Sequence, residues 1–214
     1  MSFFDMLCEM LVLLFAIVLG YGANRMGILG GEMDQKVSKL LMTFTMPATI
    51  LAAVITGDAL SGFSEVLSIL KVAVIFYLTE AVFLLVAPRF LGGTPAQKGV
   101  WRYTLAFPNV GFIGYPVAVA LFGPEALFYA VVLALPFHLM SFALGPLLLV
   151  GAKRFGLRQV FSPCVVASLV ALVVALSGLR PPALVGEMLD FVGGITVPLS
   201  LLLVGSLLAG LPAG

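Results

Sequence analysis

The sequence predicts an all-α membrane protein of seven transmembrane helices, with its first and last parts related as an inverted repeat. Three observations carry this: the apolar composition, the length of the apolar stretches, and two proline-bearing segments that match across most of the chain. Of the 214 residues, 62% are hydrophobic and 10% charged, against about half and about a quarter in an ordinary soluble domain. A soluble core has nowhere to hide so much apolar surface. The net charge is +1 and the Lys and Arg residues are scattered, so the basic patch of a nucleic-acid binder is missing and nucleic acid is excluded as a partner.

Crossing about 30 Å of hydrocarbon takes ~20 residues of helix, with every backbone group satisfied inside the segment. Seven stretches qualify: Leu7 to Asn24, Val37 to Thr56, Leu67 to Ala87, Trp101 to Phe122, Ala126 to Val150, Pro163 to Leu179 and Val185 to Leu208. Ahead of the first stand Asp5 and Glu9 with no basic leader, so no cleavable signal peptide is expected and this span stays in the mature protein. Turn chemistry separates the stretches: Gly30 and Gly31, Gly57 with Asp58, Gly92 with Gly93 and Pro95, Gly123 with Pro124, and Pro181 with Pro182. Nothing shows the ten-residue polar and apolar alternation of a β-barrel strand. Cys8 and Cys164 have no CxxC or His-partnered spacing and read as small apolar packers, with no zinc site, redox pair or other cofactor expected.

Orientation follows from the basic residues, which mark cytoplasmic loops. Arg25, Lys36 and Lys39 flank the first loop, Arg89, Lys98 and Arg102 the third, and Lys153, Arg154 and Arg158 the fifth. The opposite side has Lys71 and Arg180 with Asp58, Glu65 and Glu125. A multi-pass protein of the cell (inner or plasma) membrane is predicted, N-terminus outside and C-terminus cytoplasmic.

At an offset of 151 residues TMPATIL (Thr45 to Leu51) lies over TVPLSLL (Thr196 to Leu202), aligning Thr45 with Thr196 and Pro47 with Pro198. The same offset places Gly27 on Gly178. The second span thus corresponds to the seventh and the first to the sixth. Five spans separate each pair, so the copies point in opposite directions, as in many secondary transporters. Each proline removes a backbone donor and frees carbonyls in mid-span, a break tolerated only where protein packs it or a wet cavity adjoins it.

The segment FPNVGFIGYPVAVALFG, Phe107 to Gly123, crowds Pro108, Asn109, Gly111, Gly114 and Pro116 near the bilayer centre. A continuous helix is not expected there. A half-helix starting near Pro116 would offer unpaired N–H groups and a positive dipole end to an anion, with Asn109 adding a donor and an acceptor. The plainer reading is a kinked helix whose glycines allow close packing. The candidate substrate-binding set is Asn109, Val110, Gly111, Gly114 and Pro116, with Thr45, Pro47 and Pro198 at the matched breaks.

An Asn followed by a glycine-rich stretch, then Pro and an apolar run ending in FG, resembles the broken fourth helix of the auxin efflux carrier family, which includes bacterial malonate-type transporters and the plant PIN proteins. The proline-bearing second span and its echo in the seventh are similar to that family too. The resemblance implies two inverted five-helix repeats whose broken fourth and ninth helices cross at the midplane. It also implies a secondary transporter of small organic anions, such as malonate-type dicarboxylates or auxin-like acids, working by elevator-like alternating access. Asn109 and the backbone of Gly111 to Pro116 would then hold substrate, with Pro116 at the crossover. The chain departs from the pattern: residues 1–152 make a first five-helix repeat, while 153–214 carry the first two helices of the second, which is incomplete. A fragment is the expectation; completion by a partner chain or a decayed product are the alternatives.

Glu80 in the third span and His138 in the fifth sit at mid-depth, where ionisable groups are costly and often functional. Either is a coupling candidate for a proton or sodium ion. Glu80 reads equally as a neutral carboxyl bonded to a neighbouring helix, and His138 more simply as an imidazole satisfied by a carbonyl. Thr43, Thr45 and Thr49 bond their own helix as readily as a ligand. The partners expected are the bilayer, a small organic anion and a driving ion, with a homodimer as a candidate assembly. A heptahelical receptor shares the span count but does not explain the offset; a retinal protein needs a lysine in its last span, and none follows Lys153. No HExxH motif or intramembrane acid pair suggests an enzyme. A non-transporting membrane subunit is the remaining alternative.

Overall fold

The computed structural model describes residues 3–56, 62–86, 90, 92, 94–107, 110–123, 125–150, 162–179 and 181–211. The described residues form α-helices and two π-helical turns. In chain order these are α1 (Phe3–Arg25), α2 (Gly31–Leu40), a π turn (Leu41–Thr45), α3 (Met46–Ile55), α4 (Gly62–Val86), α5 (Pro95–Ala106), a second π turn (Val110–Gly114), α6 (Tyr115–Phe122), α7 (Ala126–Val150), α8 (Pro163–Ser177), α9 (Ala183–Gly193) and α10 (Thr196–Ala209).

Local sequence explains where these helices begin. Thr94 and Gln97 form a reciprocal capping box at the start of α5: the Thr94 N–H donates to Gln97 Oε1 at 2.8 Å, and Pro95 takes the first helical position, where no donor is needed. Ser162 caps α8, its hydroxyl accepting from the Val165 N–H at 3.3 Å ahead of Pro163. Pro47 stands in the first turn of α3 without ending the rod, because the preceding π turn absorbs the mismatch. Residues Gly31–Ile55 therefore run on as one apolar helix.

The seven-span architecture is corrected by these lengths. Among the described residues three helices are long and apolar enough to cross a membrane: Leu7–Arg25, Gly31–Ile55 and Ala183–Ala209. The fourth predicted span divides into α5 and α6, of 12 and 8 residues, around Phe107 and the second π turn. The sixth is a 15-residue helix, which rises only about 22 Å. The inverted-repeat transporter fold is corrected as well. Gly27 and Gly178 both take positive φ, 74° and 66°, yet the helices that they close have 23 and 15 residues. The matched proline segments also differ, since Thr45 ends a π turn while Thr196 follows the turn at Gly194 and Ile195. Similar tripeptides in unlike surroundings do not build two equivalent halves.

Packing follows small residues. The backbones of α1 and α10 meet at Gly20 and Gly205: a Cβ at position 20 would strike the Leu202 carbonyl, and one at 205 the Ile17 carbonyl. Helix α9 crosses α3 in the same way, Gly193 lying against the backbone of Thr49 and Gly186 against the side chain of Thr56. The main core joins α3, α6, α7 and α8, centred on Ile50, Val54, Tyr115, Val131, Val132 and Ala171, all at most 1% exposed. Helix α1 instead turns Leu11, Val12, Leu14, Phe15 and Val18 outward, each at least half exposed. An apolar face of that size belongs against acyl chains.

Candidate functional site

Three elements converge beside the interrupted fourth segment. Helix α10 lies against both π turns, and α1 lies against α6. The interruption falls at Phe107, whose φ of −122° and ψ of 71° close α5. Aromatic contacts hold this residue: its ring centroid is 5.2 Å from Tyr103 and 5.8 Å from Phe137, which in turn packs on Tyr77. The Tyr77 hydroxyl donates to the Leu133 carbonyl at 3.2 Å, tying α4 to α7 behind the break. Helical geometry is in place by Val110 and passes through the π turn directly into α6, Gly114 having ordinary helical dihedrals. The chain is thus already helical at Val110, six residues before the Pro116 start that the sequence suggests.

Of the predicted residues, Val110 and Gly114 are half-buried, Gly111 lies within the π turn, and Pro116 is buried beside Tyr115 at the start of α6. Thr45 and Pro47 are buried in the second span, whereas Pro198 is exposed on α10 and does not share their enclosed surroundings. Asn109 lies outside the described residues, as does the side chain of His138. Glu80 is half-buried on α4, one turn from Tyr77, with no hydrogen bond or ion pair to a described residue.

Hydroxyl groups line the seam where α3 meets α9 and the start of α10. Thr49 Oγ1 lies 2.7 Å from Thr196 Oγ1, 3.0 Å from the Gly193 carbonyl and 3.0 Å from the Thr45 carbonyl. Its single proton serves one acceptor at a time, so the three contacts can exchange without breaking the seam. Thr45 reaches back to the Leu41 carbonyl at 3.5 Å, and Thr45, Thr49, Thr196 and Ser200 are all at most 5% exposed. Thr43 is half-buried and faces a different cavity. Sequence reasoning singled out Thr45 and Thr49 as candidate hydroxyls but not Thr196, the partner of Thr49, although the repeat offset had aligned Thr196 with Thr45.

A second polar cluster was not foreseen. Asp34 is 7% exposed at the first turn of α2, where its Oδ1 accepts from the Gly30 N–H at 2.9 Å. The Ser206 hydroxyl, near the end of α10, lies 2.8 Å from each Asp34 oxygen and accepts from Asn24 Nδ2 at 2.9 Å. The available signal was an acidic residue shortly after Gly30 and Gly31, but the surrounding GEMDQK reads as an exposed loop. Among the described residues no three His, Cys, Asp or Glu side chains gather to hold a metal ion.

A family model described as membrane transport protein matches residues 5–144. An uncharacterized transporter of Methanothermobacter thermautotrophicus is 29% identical over 199 residues, covering 91% of this chain and 65% of its own length. An uncharacterized transporter of Methanocaldococcus jannaschii is 25% identical over 211 residues, covering 91% and 66% respectively. The chain therefore spans just under two thirds of the length of these relatives.

Proposed function

The chain belongs to the membrane transport protein family, and from that premise we propose that it serves transport of small organic anions, malonate-type dicarboxylates or auxin-like acids, by alternating access. It is a multi-pass membrane protein, and its activity is transport rather than catalysis of a covalent reaction. One observation carries the substrate reading: the fourth segment leaves helical geometry at Phe107 and is helical again by Val110, half-buried and against α10. The first N–H groups of a restarting helix have no intrahelical acceptors and carry the positive end of the helix dipole, which suits a carboxylate. Asn109, Val110, Gly111 and Gly114 are the proposed contacts, with Pro116 shaping the turn and Thr45 and Pro47 forming the facing wall. Pro198, being exposed, is left out of the contact set.

The proposed orientation has the N-terminus outside, because Arg25, Lys36 and Lys39 lie at the same end as the α1–α2 turn. The Arg25 guanidinium sits 5.2 Å from the Tyr21 ring centroid and donates to its hydroxyl at 2.9 Å, an arrangement suited to a cytoplasmic membrane interface. Glu80 and His138 remain the proposed proton or sodium coupling groups. Uptake of radiolabelled malonate and indole-3-acetate into proteoliposomes, under imposed proton and sodium gradients, tests the reading. Accumulation above protein-free vesicles is expected, reduced at least tenfold by Asn109→Ala at equal reconstitution. If neither acid accumulates under any gradient, the organic-anion assignment is wrong.

A further inference from the structure

A carboxylate taken out of water is costly unless a positive charge or several donors replace its hydration. Asp34 has few such replacements. The Gly30 N–H occupies one site on Oδ1, and the Ser206 hydroxyl has a single proton for both oxygens, whereas a carboxylate offers about four acceptor positions. The hydrogen bonds run in one direction, from the Asn24 amide to Ser206 and from Ser206 to Asp34. No ion pair joins Asp34 to a described residue: Lys36 pairs with Glu32 at 3.8 Å, and Lys39 is exposed. Beside the carboxylate lies a cavity of about 810 Å³, whose wall also includes the polar side chains of Gln35, Ser38, Lys39 and Thr43.

We propose that this cavity, at the junction of the α1–α2 turn with the end of α10, is a binding site for a monovalent cation held by the Asp34 carboxylate. Oxygen-donor chemistry of this kind takes either an alkali ion or a primary ammonium group, and the hydroxyls of Ser206, Ser38 and Thr43 are at hand to complete the shell. Capping of α2 accounts for the Gly30 contact, but it does not account for the adjoining cavity or for the charge left without a counterion. Lys39 is the competing internal cation. The site is separate from the interrupted fourth segment and stands whether or not the transported solute is an anion.

Thermal unfolding of the purified protein in detergent tests this, with sodium, potassium or methylammonium chloride replacing choline chloride at constant ionic strength. A saturable rise in Tm is expected for at least one of the three, roughly 3–6 °C at a tenfold excess over its dissociation constant. The ion that gives the rise distinguishes an alkali from an ammonium site. Asp34→Asn should abolish the rise, Lys39→Gln should move its midpoint to lower concentration, and Ser206→Ala should move it several-fold higher. Equal Tm in all four salts overturns the proposal, as does a rise that survives in Asp34→Asn. Should Asp34→Asn not fold, an unchanged midpoint in Ser206→Ala, which keeps the carboxylate, overturns it instead.

Discussion

Replacing Gly205 by alanine probes the closest approach that a described glycine makes to another helix. The added Cβ would land on the Ile17 carbonyl oxygen, with the Tyr21 nitrogen at 2.8 Å and the Ile17 carbonyl carbon at 2.9 Å. All three are backbone atoms that no rotamer change can move. Restoring ordinary contact means separating α1 from α10 by roughly 1 Å, a gap that forfeits about a quarter to a half of each affected dispersion contact along the seam. Overpacking of this kind costs about 1–3 kcal/mol, partly offset by the ~0.5–1 kcal/mol by which alanine favours a helix over glycine. Gly22, on the same helix as Gly20, provides the control, because a Cβ there meets nothing within 4 Å. Gly22→Ala should therefore be neutral or slightly stabilising, and the difference between the two variants isolates the packing loss. Denaturant or thermal unfolding in one detergent measures that difference, expected at roughly 1–3 kcal/mol. Gly20→Ala strikes the Leu202 carbonyl from the other side, so the double variant should cost less than the sum of the singles, one separation relieving both clashes. Unfolding of Gly205→Ala at the same midpoint as Gly22→Ala would refute the close approach of these helices.

The crossing of α9 on α3 should show the same logic graded by what the Cβ meets. Gly193→Ala confronts the Thr49 backbone at 2.9 Å and should cost about 1–3 kcal/mol, whereas Gly186→Ala meets a Thr56 methyl, which can turn away, and should cost under about 1 kcal/mol; reversal of that order in unfolding measurements would contradict the packing. Thr49→Val removes the hydroxyl that joins Thr196 and the Gly193 carbonyl and should destabilise by about 1–3 kcal/mol. A cycle with Thr196→Val should return a coupling above ~0.5 kcal/mol, and additivity would show that the hydroxyl pair contributes nothing. With Cys8 and Cys164 replaced by serine, a membrane-impermeant maleimide should label Lys36→Cys only in inside-out vesicles and Glu125→Cys only in right-side-out ones. The opposite pattern would invert the proposed topology.

Much of the interrupted segment could be read from residue types. Pro108, Asn109, Gly111, Gly114 and Pro116 in nine residues cannot all be accommodated by one regular helix, and the interruption does fall there, at Phe107. Its position was less legible. The prolines suggested a restart at Pro116, but Pro116 is carried inside a run that is already helical from Val110, the π turn from Val110 to Gly114 absorbing the mismatch that its missing donor makes. What places the break is the aromatic cluster of Tyr103, Phe107, Phe137 and Tyr77, whose members come from three helices and show no local pattern. The span count failed for a related reason, because hydropathy registers apolar composition and not an interruption such as that at Phe107. Asp34 was hidden by context. Its burial comes from Ser206, 172 residues away.

By itself the sequence determined that this chain is all-helical and lives in a membrane, since burial of its apolar surface has no other solvent and lipid leaves its backbone no hydrogen-bond partners but its own. The structure adds the caps at Thr94 and Ser162, each made by residues within three positions of the helix start. Only the tertiary structure decided which glycines touch, that Gly20 and Gly205 let α1 and α10 meet backbone to backbone, and that Thr49 finds Thr196 across the seam. Only it decided that a carboxylate in a polar stretch near the N-terminus is enclosed by a serine near the other end of the chain. Those outcomes depend on which helix faces come together, and a helix's apolar positions, alike on every side, do not specify its neighbour.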